Sequence, residues 1–166
     1  MAVKVGIGGG RVDQKRVKGI FEKAKNLEQR LGVEILLMDA DLVFGKEHIE
    51  SAVEHATRAF ERDKNVASTK MMEVLLYASG ERQLSTANKK MGIGPKTRDV
   101  TVVVSDYKKL DEVATTLGIK RDDSKLEGRV EMLGRFGISK KAIASVPKVK
   151  VLDLVLERVA MVDMLK

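Results

Sequence analysis

Cysteine and tryptophan are absent from the 166 residues, proline occurs twice, and aromatic residues make up only 4% of the chain. Without cysteine there is no disulfide, no thiolate nucleophile and no cysteine-ligated zinc. No apolar run approaches the roughly 18 residues that a membrane span needs. The opening Met1-Ala2-Val3-Lys4-Val5-Gly6 has no signal-peptide core, so the cytoplasm is the expected compartment. What the chain does have is charge. Lys and Arg number 31 against 24 Asp and Glu, a formal net charge of +7. A basic surplus favours an anionic partner, since cations near phosphates release condensed counterions. The length suits one domain with a real core. With no internal repeat and no low-complexity linker, residues 1–166 are expected to form a single domain.

Hydrophobic periodicity gives the element order. Residues 2–7 alternate weakly and read as a strand, which Gly8-Gly9-Gly10 interrupts as a glycine-rich turn or flexible linker. Asp13 can cap a helix over 14–30, whose apolar stripe is Val17, Ile20, Phe21, Ala24 and Leu27. Gly32 ends it, and the apolar run 33–38 suits a buried strand. Helices follow over 46–62, from Ser68 or Thr69 to Gly80, and over 83–91. The middle one is apolar on more than one side and should be central. The β-branched run 100–104 is the clearest strand. Ser105 or Asp106 then caps a helix to Leu117. A charged stretch, 120–125, leads into a helix through Leu133, Ser139 starts a short helical turn, and the last helix covers 149–165. The expected fold is α/β (α+β): a small central β-sheet, its three strands joined by right-handed crossovers, packed with several helices. A further strand hidden in a loop is compatible with this order.

Most motifs that could carry chemistry fail on inspection. Gly6-Ile7-Gly8-Gly9-Gly10-Arg11 has the first two glycines of a dinucleotide fingerprint but Arg11 in place of the third. A small nucleotide-binding enzyme using Gly6–Gly10 is therefore a remote alternative. Gly94-Pro95-Lys96-Thr97 lacks the glycine before lysine that a phosphate loop needs, and Pro95 removes an N–H. His48 and His55 lie seven apart, too far for the three- or four-residue spacing of helix metal ligands, and read as polar helix-surface residues. Ser51 has no glycine elbow around it. Asp39 with Asp41, which follow a strand, read as ordinary acids with a hydrolytic or metal role as a remote alternative, and Asp122 with Asp123, in a charged loop, read as solvated. No catalytic residue, metal ligand or cofactor is assigned.

Two segments carry a family resemblance: 35–43 (ILLMDADLV) and 72–84 (MEVLLYASGERQL), with Asn65 and Ala67 leading into the second. From about Leu31 to the C terminus the chain resembles the small accessory subunit of the KEOPS complex, the PRPK-binding protein family. The resemblance implies a non-catalytic subunit. KEOPS installs threonylcarbamoyl on adenosine 37 of ANN-decoding tRNAs, and another subunit performs the catalysis. Members of the resembled family bind the kinase-like ATPase subunit and the single-stranded 3′ CCA end of tRNA. A purely protein-binding regulatory adaptor without RNA contact is the alternative.

On that basis the expected nucleic-acid surface is Ser79, Gly80, Arg82 and Gln83, continued by Lys89, Lys90, Lys96 and Arg98. Arg82 can fork onto phosphate or stack on a base, and Gln83 carries both donor and acceptor for a base edge. Only two tyrosines are present, so stacking of many bases in a row is not expected, whereas a few terminal nucleotides suit the composition. Tyr77 can stack on a base or pack in the core. Arg82 could instead pair with Glu81 or Glu73. In the last helix Leu152, Val155, Leu156, Val159 and Val162 form a core stripe. Leu154, Met161 and Leu165 form a second, expected to meet the protein partner.

Overall fold

The computed structural model describes residues 4–166, so the start of the expected first strand lies outside the described residues. Four strands form the sheet: β1 (Gly6–Val12), β2 (Ile35–Asp39), β3 (Asp99–Val104) and β4 (Ile119–Arg121). Their spatial order is β2-β3-β1-β4, and every neighbouring pair is antiparallel. Strands β1 and β2 therefore run the same way but never touch, because β3 fits between them. The fourth strand lies at the head of the charged stretch 120–125.

Side-chain alternation divides the core. Val100, Val102 and Val104 of β3 face one way, joined by Leu37 and by residues of α1 (Gln14–Val17), α2 (Ile20–Leu31) and α6 (Leu110–Thr116). Val103 faces the other way with Ile7, Leu36 and Met38. They pack under α3 (Lys46–Glu61), α4 (Lys70–Ser79), α5 (Leu84–Met91), α7 (Leu133–Phe136) and α9 (Val151–Leu165). The short α8 (Lys140–Ala144), capped by the Ser139 hydroxyl, joins the last two. The helix expected over 14–30 comes in two pieces, broken at Lys18-Gly19; Val17, Ile20, Ala24 and Leu27 of its stripe are buried, but Phe21 is exposed.

The glycine run is not a turn. Gly8, Gly9 and Gly10 sit inside β1, between β3 and β4. A Cβ on Gly10 would meet the Lys120 carbonyl oxygen at 2.5 Å, and one on Gly8 would meet the Arg121 guanidinium at 2.8 Å. The run exists for close approach: only bare backbone lets β4 draw in and Arg121 lie across the strand. From there Arg121 reaches Asp111 at 2.6 Å and Asp123 at 3.0 Å. Asp123, expected to be merely solvated, also accepts the Gly9 N–H.

Candidate functional site

Helix α4 is buried nearly all round, from Met71 to Ser79. Thr69 caps its start, and Gly80 ends it in the left-handed region at φ 72°, where a Cβ would be strained. The Gly80 backbone is pressed against α9, so that a Cβ there would lie 3.5 Å from Arg158 Cβ. Ser79 is buried. Its hydroxyl donates to the Leu76 carbonyl at 2.8 Å and accepts the Glu81 N–H at 3.2 Å. Ser79 and Gly80 therefore shape the junction from inside. The next helix follows at once, and Gln83 at its cap position makes no side-chain bond to it. The first-turn N–H groups of α5 are left without a side-chain cap, a favourable place for an anion. Arg82 and Gln83 immediately precede that opening, and Lys89 lies in the last turn of the same helix. All three are exposed. Among the described residues none of them has an ion-pair partner, and Arg82 pairs with neither Glu81 nor Glu73.

The other predicted cations separate. Lys90 turns inward. Its Nζ donates to the Ser79 carbonyl at 2.6 Å, meets Glu81 at 3.3 Å and rides 4.1 Å above the Phe136 ring. Burial lowers its pKa, while Glu81 pulls the other way. It works as a strut under the junction. Lys96 and Arg98 sit beyond the far end of α5, against the start of α1: the Gln14 amide reaches the Lys96 carbonyl at 3.5 Å, and Val12 N–H donates to the Arg98 carbonyl. Between them Thr97 is buried and bonds the Gly94 N–H and Asp39. The segment 94–97 is thus a pinned turn. Asp39 also caps the turn after β2 through the Asp41 N–H, and burial raises its pKa.

The histidines are not surface residues. His48 is fully buried, its Nδ1 accepting the Phe44 N–H at 3.1 Å and its Nε2 donating to the Ala78 carbonyl at 2.8 Å. The bond accepted from Phe44 needs the neutral ring, and burial lowers its pKa from 6.5 to about 4 although the Ala78 carbonyl pulls the other way. His55 is half-buried, stacked on Tyr77 and 3.0 Å from Asp163. Tyr77 packs in the core, and its hydroxyl donates to Asp163. Burial, reinforced by that carboxylate, pushes its pKa upward. Lys166 donates to the Tyr77 oxygen at 2.8 Å and lies 3.7 Å from Glu73. Glu73 itself is fully buried, its two oxygens accepting the Val66 N–H at 2.9 Å and reaching toward the Ala67 N–H. This network staples the end of α9 to α3 and α4. Sequence reasoning missed it, although its mark was visible: one acid inside the otherwise apolar Met71-Met72-Glu73-Val74-Leu75-Leu76 must be partnered to be buried.

Along α9, Val155, Val159 and Val162 are buried as the periodicity predicts. Leu154 is half-buried against the core, so it belongs to the fold more than to an outer surface. Met161 (40%) and Leu165 (45%) are exposed, and Met164, which was not singled out from sequence, is more so at 84%.

The exposed helix junction and the apolar end of α9 are surface features, with no cluster of metal-ligating side chains among the described residues. Comparison with known proteins gives the family. The sequence profile of the kinase binding protein CGI-121 family matches residues 15–163. The regulatory protein Cgi121 of Methanocaldococcus jannaschii is 29% identical over 140 residues, covering 82% of this chain and 88% of that protein. The chain belongs to the CGI-121 kinase binding protein family, the KEOPS accessory subunits that its motifs resemble. The match takes in the basic helix pair α1–α2, which the motif resemblance left out.

Proposed function

We propose that this chain is a non-catalytic subunit of the KEOPS complex. It holds the 3′ CCA end of tRNA at the α4–α5 junction and docks the kinase-like ATPase subunit through the end of α9, supporting threonylcarbamoylation of adenosine 37. The observation that carries the RNA reading is the uncapped start of α5 with Arg82 and Gln83 beside it, exposed and unpaired. Unstacked terminal nucleotides offer what such a junction takes: a phosphate for the helix N–H groups and the Arg82 fork, and base edges for the Gln83 amide.

The test is a gel shift at near-physiological salt with intact tRNA and tRNA lacking the CCA end. Removing the CCA, or making Arg82→Glu, is expected to weaken binding about tenfold, equivalent to about 1.4 kcal/mol. The two changes together should be no worse than either alone. Equal binding of both RNAs would mean charge attraction only. No binding of either would leave the chain as an adaptor of the kinase-like subunit.

The protein contact is supported by Met161, Met164 and Leu165, an exposed apolar cluster at i, i+3 and i+4 on one helix face. Met161→Glu with Met164→Glu is expected to raise the Kd for the purified kinase-like subunit by about thirtyfold, a hot-spot cost of about 2 kcal/mol. An unchanged Kd in calorimetry would remove this face from the interface.

A further inference from the structure

The segment from Asp13 to Leu31 holds six Lys and Arg residues against three acids. Two of those acids are already engaged: Asp13 caps the Lys15 N–H, and Glu28 accepts the Ile35 N–H at 2.9 Å. Among the described residues none of the six cations is in an ion pair. The cations therefore face solvent with little to offset them, on the sheet face opposite α4, α5 and α9.

Their arrangement is not uniform. Phe21 and Lys25 lie four apart, one turn along the same flank of α2, and Lys18 stands at the break just before that helix, with Gln14 at the start of α1. Phe21 was expected in the core stripe, yet it stands 55% exposed between the two lysines. At the N-terminal end of this flank, Gln14 touches the Lys96 carbonyl, so the turn carrying Lys96 and Arg98 continues the line.

We propose that this flank is a second RNA surface, one that holds the body of the tRNA while the α4–α5 junction holds its end. It rests on the reading of the chain as a tRNA-binding subunit. Cations on either side of a protruding ring suit nucleic acid, where Lys18 and Lys25 neutralise backbone phosphates and Phe21 stacks on an unpaired base. A lipid surface fits poorly. A membrane-lying helix must spare its whole apolar face, whereas Val17, Ile20, Ala24 and Leu27 are all buried against the sheet.

The experiment measures binding of intact and CCA-lacking tRNA to the full chain across a salt series. The variants are Lys18→Gln/Lys25→Gln and, separately, Phe21→Ala. All three side chains are exposed, so thermal melting should not move. Losing two phosphate contacts is expected to weaken both RNAs about tenfold at moderate salt and to lower the double-logarithmic salt slope by about 2. The ratio between the two RNAs should stay at its parental value. Phe21→Ala should weaken binding with the slope intact. Unchanged affinity and slope in both variants overturn the inference, as does a loss confined to binding of the kinase-like subunit. The two readings fail separately. A parent chain that binds both RNAs equally, yet depends on Lys18 and Lys25, loses the CCA reading and keeps this one. A parent chain with CCA preference and silent Lys18, Lys25 and Phe21 variants does the reverse.

Discussion

Glu73→Ala is expected to remove about 3–5 kcal/mol of folding stability, the usual cost of taking one partner from a buried charged cluster. Glu73 is fully buried, takes two backbone N–H groups from the segment before α4, and faces Lys166 at 3.7 Å. Truncation leaves the Val66 and Ala67 N–H groups without their acceptor, strands the Lys166 ammonium, and opens a hole beside Tyr77. At roughly 2–4 °C per kcal/mol for a chain of this size, the melting midpoint should fall by about 6–20 °C. Glu73→Gln keeps one acceptor oxygen and should lose less. Urea unfolding of the three proteins checks this. A Glu73→Ala variant within about 1 kcal/mol of the parent would mean that the staple contributes little and that α9 is held by its valines alone.

The second large effect is a loss of stability in mild acid, governed by His48. Its folded-state pKa is about 4, against 6.5 for the free side chain. Between these values the unfolded chain binds a proton that the native chain refuses, so stability rises with pH across that window. The contribution is fully present above about pH 6.5 and is lost as pH falls toward 4, about 3 kcal/mol in all. The cause is burial first. In addition, protonation would put a second N–H on the ring, facing the Phe44 N–H that it now accepts. His48→Gln, which cannot titrate, should flatten this part of the stability profile even if it is less stable at pH 7. Parallel profiles for the parent and His48→Gln between pH 4.5 and 6.5 would show that other groups set the acid sensitivity. Asp163 works in the same direction: burial alone would raise its pKa, but bonds from Tyr77 and His55 outweigh that and hold it low.

Much of the fold was readable because its apolar patterns are strong. The run 33–38, the β-branched run 100–104 and the stripes of the helices ended by Gly32 (Phe21 apart, which is exposed) and Gly80 fall where periodicity places them. The misreadings share a cause: each turns on what lies across the sheet or the helix pair. Gly8–Gly10 have no side chains to show a period, and only the approach of Lys120 and Arg121 explains them as strand. Strand β4 contributes three residues, one of them buried, too few for a periodic signal. His48 is polar by type and was placed outside, yet the Phe44 and Ala78 backbone groups that satisfy it come from a turn and from another helix. The candidate site was legible at its centre, where Gly80 predicts a helix end and Arg82-Gln83 an exposed junction. It was not legible at its edges. Lys90 and Lys89 look alike in sequence, but their positions on α5 send one inward to Ser79 and leave the other in solvent. Lys96 and Arg98 follow closely in sequence, yet the length of α5 carries them to the opposite end and onto α1.

The place of β3 has a consequence for how the chain reaches its native state. The two earlier strands, β1 and β2, cannot pair with each other. Each waits for the one strand that fits between them, some sixty residues beyond the end of β2. On a ribosome adding about 5–20 residues per second, that wait lasts roughly 3–12 s. Throughout it Ile35-Leu36-Leu37-Met38 has no sheet to join, and the whole architecture depends on distant pairings that close slowly. Until Val100–Val104 emerges, the apolar strand has no sheet to join, and faster elongation through α3–α5 shortens that exposure.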